Sequence, residues 1–138
     1  MLGAVLSVAT GYAAAAPVAS PLARGERAFQ KCYSCHSSEP GRSDLTGPTL
    51  HNIIGRRIAS EHGFDYSPAL KRFARSHPRW TRKLVSRFSA DPEELVPGTS
   101  MTFHGIADAN ERAALIRYLE SLGHRPSSGK SKPRPSSD

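Results

Sequence analysis

Five consecutive residues, Cys32-Tyr33-Ser34-Cys35-His36, constrain this chain more than any other feature of it. Two cysteines three apart, with a histidine directly after the second, form the attachment pattern of a c-type haem. The chemistry explains the spacing. Each thiol adds across a haem vinyl group as a thioether, and one helical turn between the thiols matches the separation of the vinyls. The histidine is then held under the iron, where its ring nitrogen serves as proximal ligand. A short chain tethered to such a group folds around a large, flat, apolar centre.

Two other chemistries use a CxxC. A zinc site needs four N/S ligands, and Cys32 and Cys35 are the only cysteines. Two of His51, His62, His77, His104 and His124 would have to complete the tetrahedron, and none stands at a ligand-pair spacing from another. A thioredoxin-like redox site wants a βαβ context, and no alternating β-branched strand flanks this motif. Haem remains.

The 138 residues allow one domain with a thin core. Gly 11 and Pro 11 imply much loop, while Val and Ile are scarce and nowhere alternate, against a packed β architecture. A buried haem supplies the missing core. Residues 1–16 carry no charge and read as the apolar part of a secretion signal ending in small residues. This run is shorter than the roughly 20 residues of a membrane span. An uncleaved anchor is the alternative. The periplasm is therefore the expected location, with a membrane-anchored form facing it as the second choice. Export suits the motif, because free thiols there would tend to pair and haem attachment consumes both.

The formal net charge is +7. Residues 125–138 read as a disordered basic Ser/Pro-rich tail, in which Arg125, Lys130, Lys132 and Arg134 against Asp138 give +3. A second basic run comprises Lys71, Arg72, Arg75, Arg79, Arg82, Lys83 and Arg87, with no acid between residues 66 and 90. An exported haem protein has little access to nucleic acid. Acidic docking surfaces on redox proteins are the expected counterparts, with membrane contact only indirect or through the leader. A monomer is expected.

Helix signals are local and frequent. Ser20-Pro21 opens a first helix as N-cap and first-turn proline, running to about Lys31. Gly25 inside it costs about 1 kcal/mol of propensity, unless a close helix crossing needs it. Ser67-Pro68 starts a second helix through Ser76, stopped by Pro78, and Thr81 to Ala90 makes a third. Residues 92–106 read as loop. Asp108 and Glu111 are spaced as a capping box for a last helix bearing Leu115, Tyr118, Leu119 and Leu122, with Gly123 as its stop.

The sixth position of the iron decides function, because a filled site can only pass electrons while an open one permits oxygen or peroxide chemistry. Beyond the leader, Met101 is the only methionine. A lone methionine is commonly core filler. Met101, however, follows a rigid Pro97-Gly98 turn 65 residues after His36, which favours an axial ligand.

With these residues in place, the chain resembles class I cytochrome c of the bacterial periplasmic and mitochondrial kind. The resemblance is carried by Gly25 to His36, Thr46-Gly47-Pro48-Thr49-Leu50, Gly55-Arg56, Gly63 to Ser67, Trp80, Pro97 to Phe103 and Glu111 to Leu122, in family order. It implies an all-α small cytochrome c fold over residues 17–124, with several short helices and long loops wrapped around one covalently bound haem. It implies that Pro48 offers its carbonyl to His36, that Arg56, Tyr66, Trp80 and Thr99 face the haem propionates, and that Phe103 shields the haem edge. Phe29 and Tyr118 match the contact between first and last helices. The chain also departs from the family. Glu93, Glu94 and Ser100 stand where mitochondrial members carry lysines, and Phe88 replaces a tyrosine.

The expectation is an exported monohaem cytochrome c, not an enzyme, carrying single electrons between redox partners of a respiratory or photosynthetic chain. The haem c would be ligated by His36 and Met101. The alternatives are a haem-c subunit anchored to an oxidase or dehydrogenase, and a peroxidase-like or gas-binding protein whose methionine ligand is labile.

Overall fold

The computed structural model describes residues 19–42 and 44–124; the expected leader and basic tail lie outside the described residues. Helices α1 (Pro21–Phe29), α2 (Pro68–Ser76), α3 (Arg82–Ala90), α4 (Pro92–Leu95) and α5 (Ala109–His124) are joined by long loops. Among the described residues the one β-type pairing is an isolated antiparallel bridge between Arg57 and Arg79. The all-α expectation holds.

The helix starts follow local chemistry. Ser20, Ser67 and Thr81 each accept a backbone N–H of the first turn, from Ala23, Leu70 and Leu84, at 3.2, 3.2 and 3.1 Å. Pro21 and Pro68 occupy the first turn, where a missing N–H costs nothing. Asp108 caps α5 through a bond from the Glu111 N–H. Only half of the capping box forms in that place, because the Glu111 carboxylate turns to Lys31 at 2.7 Å.

Three boundaries differ from the sequence reading. Helix α1 ends at Phe29, and the chain beyond it tightens into successive turns, Cys32 N–H to Phe29 O at 2.8 Å and His36 N–H to Cys32 O at 2.9 Å. Residues 92–95, expected as loop, form α4, because Asp91 caps the Glu94 N–H at 2.9 Å and Pro92 presets the first turn. Helix α5 runs through Gly123 to His124. There the missing side chain makes room for Asn52 instead of ending the helix.

The packing frame is the crossing of α1 on α5. Gly25 is buried at the contact, where a β-carbon would sit 2.6 Å from Tyr118 Cβ and closer still to the Ala114 carbonyl oxygen. Phe29 and Tyr118 pack at 5.3 Å between ring centroids. Phe29, Leu115 and Leu119 are almost wholly buried, and each such side chain contributes about 1.5–3 kcal/mol, against about 1 kcal/mol for a cap. Burial on this crossing therefore outweighs the local signals that start the helices. Helix α3 leans on α4 and α5, whereas α2 comes into contact with none of the other helices.

Candidate haem site

Between these helices lies a cavity of about 360 Å³. All nine residues expected at the cofactor line it: Cys32, Cys35, His36, Pro48, Arg56, Tyr66, Trp80, Thr99 and Met101. They come from the turns after α1, the rest of the long α1–α2 connection, the α2–α3 connection and the segment after α4, so only the fold brings them together. Leu50, Ile53, Leu70, Val85, Leu115 and Leu119 complete an apolar lining.

One wall carries the attachment motif. The turns after α1 place Cys32 and Cys35 one turn apart, Cys32 half-buried and Cys35 exposed, neither in a disulfide. Burial pushes the Cys32 thiol up to about 11, with the neighbouring Cys35 adding to the effect. Hydrogen bonds from Thr46 and Ser34 draw Cys35 the other way. His36 is 8 % exposed, and its Nδ1 lies 2.8 Å from the Pro48 carbonyl oxygen. A carbonyl only accepts, so Nδ1 carries the proton and Nε2 keeps the lone pair a metal needs. Burial holds the imidazole below its ordinary pKa against the opposing pull of the Pro48 carbonyl, with Arg56 a smaller contributor in the same direction as burial. Gly47 makes this geometry possible: a β-carbon there would fall 2.6 Å from His36 Nδ1.

Met101 also lines the cavity. Its loop leaves α4 through Pro97 and Gly98, whose φ of 83° lies in the left-handed region that favours glycine. The Gly98 N–H donates to the Glu93 carboxylate at 2.9 Å, and the Thr99 N–H donates to the Val96 carbonyl at 3.0 Å. Met101 N–H reaches Thr99 Oγ1 at 3.4 Å. Phe103 and Ser100 also line the cavity.

Polar groups also line the cavity. The Arg57–Arg79 bridge sets Arg56 beside Trp80, through Trp80 N–H to Arg56 O at 2.9 Å and Gly55 N–H to Trp80 O at 2.7 Å. Arg56 donates to the Thr49 carbonyl at 2.7 Å, to the His51 carbonyl at 3.2 Å and to the Glu61 carboxylate at 3.0 Å. Tyr66 accepts the Glu61 backbone N–H at 3.1 Å, and burial raises its hydroxyl pKa. Phe88 packs on Trp80 at 5.2 Å. Ser67 both caps α2 and lines the cavity. Sequence reasoning missed Glu61 and Thr49. The latter is buried and donates to the Glu39 carbonyl at 2.6 Å, closing the loop that presents Pro48. An acid five residues after Arg56 was the only available signal for Glu61.

These residues fit a haem. The lining brings together an imidazole with its free lone pair, a thioether, two thiols and several hydrogen-bond donors. A zinc reading finds no support, since no three His, Cys, Asp or Glu side chains gather as a metal site among the described residues. A helical chain wrapped around such a cavity, with Cys-x-x-Cys-His on its wall, defines the class of c-type haem proteins.

The comparisons narrow the class. The model of the family described as cytochrome c matches residues 22–123. Cytochrome c type-1 of Ascaris suum is 41% identical over 103 residues, covering 74% of this chain and 88% of the relative. Cytochrome c2 of Blastochloris viridis is 36% identical over 118 residues, 86% of this chain and 87% of the relative. The solved structure of cytochrome cH from Methylobacterium extorquens superposes with a TM-score of 0.63 at 36% identity, over 72% of this chain and 97% of that one. The chain belongs to the cytochrome c family. The cytochrome c family is one of haem-bearing electron carriers and not of enzymes.

Proposed function

We propose that this chain is an exported, monomeric monohaem cytochrome c that carries single electrons between redox proteins of a respiratory or photosynthetic chain. In this reading Cys32 and Cys35 bind the haem and His36 and Met101 ligate the iron axially. The observation that carries it is the convergence of nine residues, spread over 70 positions of the sequence, on one cavity. Bound haem supplies a one-electron iron couple, and a thioether opposite an imidazole favours the reduced state.

The chain's own groups hold that site constant. The Pro48 carbonyl fixes the His36 tautomer. The Glu93–Gly98 bond braces the methionine loop. Leu115 and Leu119 keep water from the centre. Arg56, Tyr66, Trp80 and Thr99 stand ready for the propionates. Arg72, Arg75, Lys83 and Arg87 are exposed, and none forms an ion pair among the described residues. They supply positive charge that steers acidic partners. No helix among the described residues is long and apolar enough to cross a membrane.

The test is protein matured with a c-type assembly system. A pyridine haemochrome spectrum of two thioethers, a mass increased by one haem and a weak near-infrared sulfur-to-iron band in the ferric protein are expected. Mass spectrometry of the periplasmic fraction checks export by locating the processed N-terminus. A colourless product would overturn the cofactor assignment, and rapid cyanide binding without the sulfur band would overturn Met101 as ligand.

A further inference from the structure

The arginine on the cavity rim is already engaged from behind. Arg56 lines the cavity, whereas Glu61 does not; the Glu61 carboxylate meets Arg56 Nη1 at 3.0 Å on the far side. Both side chains are sheltered, at 18% and 17% exposure. The remaining guanidinium bonds go to the Thr49 and His51 carbonyls. The Glu61 backbone N–H, in turn, donates to the Tyr66 hydroxyl, a second rim group. One acid thus touches two of the polar residues that line the cavity.

We propose that Glu61 is a positioning residue that lowers the reduction potential of this protein by sharing the charge of Arg56. The inference rests on the reading that haem fills the cavity with its propionates toward Arg56. Without Glu61, the full guanidinium charge would offset the propionates. With it, the arginine and Glu61 together are close to neutral, so the haem experiences more net negative charge. Negative charge favours the ferric state, which carries one more positive charge than the ferrous. Sheltering matters to the size of the effect, because a pair screened from solvent is less damped by salt than a surface pair.

Two readings of the same contact make different predictions. A purely structural Glu61 fastens the 51–66 loop through its hydrogen bond. An electrostatic Glu61 acts through its charge. Glu61→Gln keeps a hydrogen-bond acceptor for Arg56 and removes the charge, while Glu61→Asp keeps the charge and shortens the reach. The experiment measures midpoint potentials of the matured wild type and both variants by spectroelectrochemistry, with the haemochrome spectrum and sulfur band recorded for each. The Gln variant should be easier to reduce by about two- to tenfold in the one-electron equilibrium, at most about 59 mV. The Asp variant should stay nearer the wild type. Should the Gln variant fail to mature, Glu61→Ala replaces it with the same expected sign.

Unchanged potentials with haem and sulfur band intact would overturn the role of Glu61 and leave the cofactor assignment standing. Equal shifts in the Gln and Asp variants would also overturn it, since packing and not charge would then be responsible. A wild type without haem would overturn the cofactor assignment itself, and this inference with it.

Discussion

Gly25 shows how one missing side chain sets the geometry of the whole molecule. Its propensity cost of about 1 kcal/mol is repaid at the crossing with α5, where a β-carbon would collide with the Ala114 carbonyl and Tyr118 Cβ. Gly25→Ala should therefore lower stability despite improving the isolated helix. Overpacking against backbone costs about 1–3 kcal/mol, which exceeds the gain. A denaturant midpoint that rises in the matured variant would show the crossing to be looser than described. Gly47 is the corresponding position at the site. Its absent β-carbon leaves space for the His36 ring, 2.6 Å away at Nδ1. Gly47→Ala should displace the ring from the Pro48 carbonyl and reduce the haem-to-protein ratio of secreted material.

At the scale of elements, the loop after α4 is braced by the helix before it. Glu93 accepts the Gly98 N–H, so an acid that replaces a family lysine does mechanical work for Met101. Glu93→Ala removes a bond worth about 1 kcal/mol in an exposed setting. The sulfur-to-iron band of the variant should disappear at a lower temperature than in the wild type, and Glu93→Gln should restore most of the difference. What could be read from the sequence, and what could not, divides at this scale. Ser20-Pro21, Ser67-Pro68 and Thr81 announced their helices because a cap and a proline act within one turn. Cys32, Cys35 and His36 were legible because covalent chemistry demands their spacing. Residues 92–95 read as loop because four residues carry no periodicity, although Asp91 and Pro92 were a start signal. The continuation of α5 through Gly123 and the partnership of Arg56 with Glu61 depend on Asn52 and on a folded loop, which no local pattern reveals. Pro48, Arg56, Tyr66, Trp80 and Thr99 were placed by family likeness, since nothing in their spacing announces a shared cavity.

For the whole molecule, the charge of +7 and the exposed Arg72, Arg75 and Arg87, which form no ion pair among the described residues, bear on encounter with partners. Reduction or oxidation by an acidic partner should slow as ionic strength rises, because steering acts over a Debye length of about 10 Å at 0.1 M salt. A rate independent of salt would remove charge from the docking account. The isolation of α2 from the other helices has a different consequence. Its inward residues Ala69 and Leu70 pack on loop segments, and Leu70 also lines the cavity, so a group that fills that space adds to the packing of the segment. In a Cys32→Ser/Cys35→Ser variant that matures empty, amide hydrogens of α2 should exchange first, while those of the α1–α5 crossing stay protected longest. A housekeeping protease in the destination compartment would then find its cleavage point at residues 68–76, and the chain would carry its own inspection tag for incomplete assembly.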